Sequence, residues 1–204
     1  MGYYIRLFSP SDALPPFKQL RAAVASFGSI SLTVEKGDPG DWEQLLLAHA
    51  DETPIAAIER NLVRPGELGA TEIGEFLDEL EAYKPTSAVT WLRKYLASVK
   101  CTYAVQILPG TEKNNGWLAV YAVRDAIRET AGGIIQADGE GFSNEEGFHI
   151  LWQFADAVNG PWWMAVLRDG EWVTFQMELG NHKHRTAFRR GEVPAGISAG
   201  RPEE

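Results

Sequence analysis

The clearest alternation of apolar and polar positions lies in residues 161–178, PWWMAVLRDGEWVTFQME. It predicts two strands joined by Asp169-Gly170, a pair that supplies the positive φ angles of a type I′ turn. A two-residue loop fixes the register, so Arg168 faces Glu171, Leu167 faces Trp172, Val166 faces Val173, Met164 faces Phe175 and Trp162 faces Met177. Side chains alternate across a strand. Trp162, Met164, Val166, Val173, Phe175 and Met177 therefore share an apolar face. Trp163, Ala165, Leu167, Trp172, Thr174 and Gln176 make a mixed one. A lone hairpin is marginal in water, so the apolar face must cover a core.

The same reading along the chain predicts a strand over 3–8, a helix over 17–27 ended by Gly28, and a strand over 29–35 with Ile30, Leu32 and Val34 inward. The stretch 41–50, DWEQLLLAHA, fits either a capped helix or a strand, and a hairpin of 42–49 with 55–63 is the favoured reading. Helical spacing follows over 71–83 and 87–99, then a β-rich stretch over 101–108. A further helix runs from Asn114 or Asn115 to about Ala131. A Gly-interrupted strand over 134–142, a strand over 148–154 and a short basic helix over 181–190 complete the pattern. Residues 191–204, rich in Pro and Gly, are expected to fray.

The expected fold class is α+β, with antiparallel sheets and helices on one face. The N-terminal half, residues 1–108, approaches the ferredoxin-like split βαβ order, with a spare strand and a doubled helix against it. Residues 109–190 read as a helix on a four-stranded antiparallel meander. The two halves either pack as one domain or stand apart.

Composition adds an acidic balance. The 204 residues carry a formal charge of −9, and neither half is basic, which speaks against a nucleic-acid footprint. No run approaches the ~20 apolar residues of a membrane span. The N-terminus has no apolar signal core, and one cysteine, Cys101, allows no internal disulfide; a cytoplasmic location is expected. Seven tryptophans form a large share of the packing material.

Candidate chemistry is sparse. The densest polar stretch is 138–149, DGEGFSNEEGFH, where Asp138 and Glu140 are expected on one strand face with His149 near the turn. Carboxylates with a histidine can do acid–base work or hold a metal. The spacing fails the Ca²⁺ loop, because Phe142 occupies the third ligand position. There is no H-E-x-x-H, no G-x-S-x-G and no phosphate-binding glycine motif, so no cofactor is expected. His49 is expected to be held by Asp51 or Glu52, and Cys101 to be a small buried hydrophobe. Arg185 belongs to a basic patch from His182 to Arg190, able to receive an anion or an acidic surface.

Two functional readings result. The first is a non-enzymatic binding protein whose Trp-rich sheet face, with Trp163 and Trp172, meets a protein partner or a second copy. The second is a small-molecule enzyme with Asp138, Glu140 and His149 in a cleft between the halves. The first requires an uncovered aromatic patch, and the second requires at least two of the three polar groups to converge.

Overall fold

A computed structural model describes residues 2–200. The fold is α+β with antiparallel sheets, as the periodicity predicts. The chain forms two compact units that interleave along the sequence: Met1–Glu72 with Val99–Gly133, and Ile73–Ser98 with Ile134–Glu204. A single cut after residue 108 therefore does not separate them.

The first unit holds strands β1 (Tyr3–Ser9), β2 (Ile30–Asp38), β3 (Asp41–His49), β4 (Pro54–Leu62) and β5 (Cys101–Ile107), in the spatial order β2-β3-β4-β5-β1 and antiparallel throughout. The ambiguous DWEQLLLAHA stretch is a strand, paired with β4. The split βαβ pattern does not form. Tight turns force nearest-neighbour pairing of β2, β3 and β4. At the first turn the Asp38 carboxylate accepts from the Gly40 and Asp41 amides, and at the second Glu52 has φ 64°. Strand β5 buries five consecutive residues, Cys101 to Val105, as a central strand requires.

Helices α1 (Phe17–Val24) and α4 (Gly116–Ala131) pack on each other in this unit. Two polar tips pin the linker between β1 and α1. Trp42, fully buried, donates its indole N–H to the Pro15 carbonyl at 2.9 Å, and the Tyr103 hydroxyl donates to the Ala13 carbonyl at 2.8 Å. Helix α2 (Leu68–Glu79) starts three residues earlier than its apolar spacing predicts.

The second unit contains α3 (Thr86–Leu96), the short pair β6 (Ile134–Ala137) and β7 (Gly141–Phe142), the hairpin β8 (Pro161–Arg168) and β9 (Glu171–Glu178), and α5 (His182–Arg189). The hairpin has the predicted register, Trp162↔Met177 through Arg168↔Glu171, and Asp169 and Gly170 have φ 50° and 88°. Its apolar face builds a core with Trp152, Phe154, Leu179 and Phe188.

The four-stranded meander does not form. Residues 148–154 make only two isolated bridges, Ser143↔His149 antiparallel and His149↔Met164 parallel. Five consecutive residues, Phe148 to Trp152, are buried, so the segment has no solvent face of the kind an alternating strand presents. Gly141, at φ 117°, lies so close to the Leu151 carbonyl that a Cβ would strike it. The tail expected to fray from residue 191 is bound as far as residue 200. Val193 and Ile197 pack on the hairpin core, and Thr174 and Gly200 exchange two hydrogen bonds. Residues 201–204 lie outside the described residues.

Candidate functional site

The mixed face of the β8–β9 hairpin carries two partly exposed rings, Trp163 and Trp172, and α3 adds two more. Trp172 meets Trp91 of α3 edge to face, with centroids 5.2 Å apart, and Trp91 stacks on Tyr95 one helical turn later at 5.0 Å. All three rings are half-buried. Trp163, also half-buried, rests against Phe148 at 6.0 Å. Trp163 and Trp172 are thus each backed by rings of their own unit while keeping part of their surface outside. Helix α3 lies against β8 and presents Trp91 and Tyr95 beside the hairpin. Burial pushes the Tyr95 phenol well above its ordinary range, and Glu145 raises it further.

The polar stretch 138–149 is arranged differently from its expected strand. Asp138 and Glu140 lie in the turn between β6 and β7, not on a strand face. The Asp138 carboxylate accepts from the Gln136 amide at 3.4 Å. His149 is buried: its backbone N–H donates to the Trp163 carbonyl at 3.1 Å, and its carbonyl accepts from the Ala165 amide at 2.8 Å. The Trp162 indole N–H donates to His149 Nδ1 at 2.9 Å, which makes Nδ1 an acceptor and puts the proton of the neutral ring on Nε2. The Ser143 hydroxyl reaches the same Nδ1 at 3.3 Å. Nε2 is buried without a hydrogen-bond partner, its nearest carboxylate oxygen being Glu140 Oε2 at 3.9 Å.

Burial lowers the His149 pKa to about 4, so the ring is neutral at pH 7 and the approach to Glu140 is not an ion pair there. Of the three residues expected to converge, His149 and Glu140 approach without a hydrogen bond and Asp138 turns to Gln136. Among the described residues, no three His, Cys, Asp or Glu side chains come together as metal ligands.

Arg185 is engaged within the fold. Its Nε donates to the Leu179 carbonyl, its Nη2 donates to the Val158 carbonyl at 3.1 Å, and its guanidinium lies over the Trp152 ring at 5.6 Å. It clasps α5 to the loop before the hairpin, with Asp156 beside it at 3.7 Å. Two further expectations resolve locally. His49 Nε2 pairs with the Gly110 carbonyl at 2.9 Å instead of with Asp51 or Glu52. Cys101 is a buried thiol whose pKa is pushed up by desolvation, the opposite of nucleophile activation.

Sequence reasoning missed a groove in the first unit, about 560 Å³ in volume, between α1 and residues 30–34 of β2. Its residue types are those of an ordinary amphipathic helix and strand. Only the strand order reveals that β2 is terminal. It missed Trp91 and Tyr95 for a similar reason: they sit on a helix whose neighbour is not local in sequence.

No helix among the described residues is long and apolar enough to cross a membrane. The chain matches no family model, no curated protein and no solved structure.

Proposed function

We propose that the protein is a non-enzymatic binding protein whose contact surface is the aromatic group of Trp91, Tyr95 and Trp172, with Trp163 at its side. The observation that carries this reading is the mutual packing of three half-exposed rings on one face of α3 and the hairpin. Trp and Tyr held rigid by their neighbours present large contact areas at little entropic cost, and such residues dominate binding energy at protein interfaces. The exposed carboxylates of Glu145 and Glu171 lie in this unit, and the chain carries −9 overall, so a partner with a basic rim is favoured by long-range attraction.

The acid–base reading has less to support it, since His149 is buried and neutral with its acceptor nitrogen occupied by Trp162. The test is affinity capture from native extract with the wild type and with Trp91→Ser and Trp172→Ser, followed by light scattering on the eluate. A stable partner or a second copy, held by the wild type and released by both variants, is expected. Equal capture by all three, or a wild type that elutes alone as a monomer, overturns the reading.

A further inference from the structure

The α1–β2 groove lies in the other unit and raises a question independent of the aromatic surface: what its shape and hydrogen-bonding groups would hold. Strand β2 is the terminal strand of its sheet. The Ala50 amide donates to the Ser29 carbonyl at 2.7 Å, which identifies the Ser29–Ala50 pair as a hydrogen-bonded one. In an antiparallel ladder bonded and non-bonded pairs alternate. With Ile30 opposite His49, Leu32 opposite Leu47 and Val34 opposite Leu45, those three residues fall in non-bonded pairs. The His49 amide confirms the phase, since it donates away from β2, to the Thr53 carbonyl. The N–H and C=O groups of Ile30, Leu32 and Val34 therefore point out of the sheet, while Ser31 and Thr33 serve the ladder to β3.

Edge strands in soluble proteins are normally blunted by charge, bulges or cover. The second half of β2 is blunted in this way, with register shifts between Val34 and Lys36 and between Lys36 and Gly37. Residues 30–34 are not. They stay regular and line a groove whose opposite wall is Phe17, Arg21, Val24 and Ala25 of α1 and the turn after it. The groove adjoins a wider hollow of about 940 Å³ that shares Phe17 and Arg21 and adds Lys18 and Leu14. Lys18 and Arg21 are exposed and make no ion pair among the described residues, Arg21 lying over the Phe17 ring at 5.9 Å, although the chain as a whole is acidic.

We infer that this groove receives an extended peptide segment of another protein, which adds as a strand to β2. Its alternate apolar side chains lie against α1, and a carboxylate side chain meets Lys18 and Arg21. The outward amides and carbonyls call for a backbone in β conformation, the apolar wall for aliphatic side chains, and the two uncompensated cations for an acidic one. A helix bordering the same groove favours a single inserted ribbon over a second whole sheet.

The test uses the full chain and a displayed library of random linear peptides. Selection is expected to enrich sequences that alternate aliphatic residues and contain Asp or Glu. Adding an enriched peptide is expected to slow amide exchange at Ile30, Leu32 and Val34 by about tenfold or more, with Ser31 and Thr33 unchanged. Charge reversal, Lys18→Glu with Arg21→Glu, lies on the exposed surface and is expected to weaken the peptide at least about tenfold. Val34→Pro, which deletes one outward N–H, is expected to weaken it as well, and Trp172→Ser to leave it unchanged. The inference is overturned if nothing is enriched, or if enriched peptides bind the charge-reversed protein equally. It is also overturned if the same three amides become protected in the protein alone as its concentration rises, which would show that a second copy pairs with β2.

Discussion

The buried neutral imidazole of His149 gives the sharpest prediction. The perturbation is acid. In the folded protein the ring titrates at about 4, against 6.5 for an unperturbed histidine. Between those values the unfolded chain binds a proton that the folded chain refuses, so stability falls as pH falls through this window and is fully present above it. The two pKa values correspond to a loss of about 2 kcal/mol by pH 5 and about 3 kcal/mol by pH 4, relative to pH 7. That is a large share of the ~5–15 kcal/mol typical of a domain. The control is His149→Gln, which retains an acceptor for the Trp162 indole and cannot titrate. Urea unfolding followed by tryptophan fluorescence at pH 7, 6, 5 and 4 measures both proteins. The variant is expected to be less stable at pH 7, and the gap is expected to narrow by about 2 kcal/mol at pH 5. A gap that stays constant from pH 7 to pH 4 would refute the reasoning, because the histidine would then be solvated or charged in the folded state.

Other consequences are equally direct. Gly170→Ala, at φ 88° with open space around it, is expected to cost about 1 kcal/mol in thermal or chemical denaturation through backbone strain alone, without changing the hairpin register. Trp42→Phe leaves the Pro15 carbonyl without its donor inside the first unit and is expected to cost about 1–3 kcal/mol. Arg185→Lys cannot serve both the Leu179 and Val158 carbonyls, so it is expected to lower stability by about 1 kcal/mol while leaving partner capture intact. Trp172→Ser removes a half-buried ring, and about 2 kcal/mol of destabilisation is expected from its covered area.

The sequence discloses local structure well and long-range order poorly, for reasons visible in particular residues. Asp169-Gly170 determines its own register because a two-residue turn leaves no freedom in what faces what. Asn181 opens α5 by accepting from the Lys183 amide, a cap made by the short polar side chain itself. By contrast, alternate residues of 148–154 are apolar, yet the segment buries the intervening His149 and Leu151 too and is not a strand. Alternation reports one face, and burial on both sides comes from neighbours distant in the chain. The polar cluster misled in the same way. Its residues are near in sequence, but Asp138 and Glu140 lie in a turn instead of on a strand face, and the indole of Trp162 takes the acceptor nitrogen of His149. Which strand ends a sheet is decided by pairing across the chain, so the groove along β2 left no local mark. The Trp91–Tyr95 pair was legible only as an i, i+4 spacing, and its meeting with Trp172 was not.

The aromatic surface of α3 and the hairpin is the proposed seat of the partner. Amide hydrogen exchange of the free protein against its captured complex measures this directly. Protection confined to α3 and the hairpin strands, residues 86–96, 161–168 and 171–178, is the predicted result. Unchanged exchange over those residues, with protection appearing elsewhere in the chain, would contradict it.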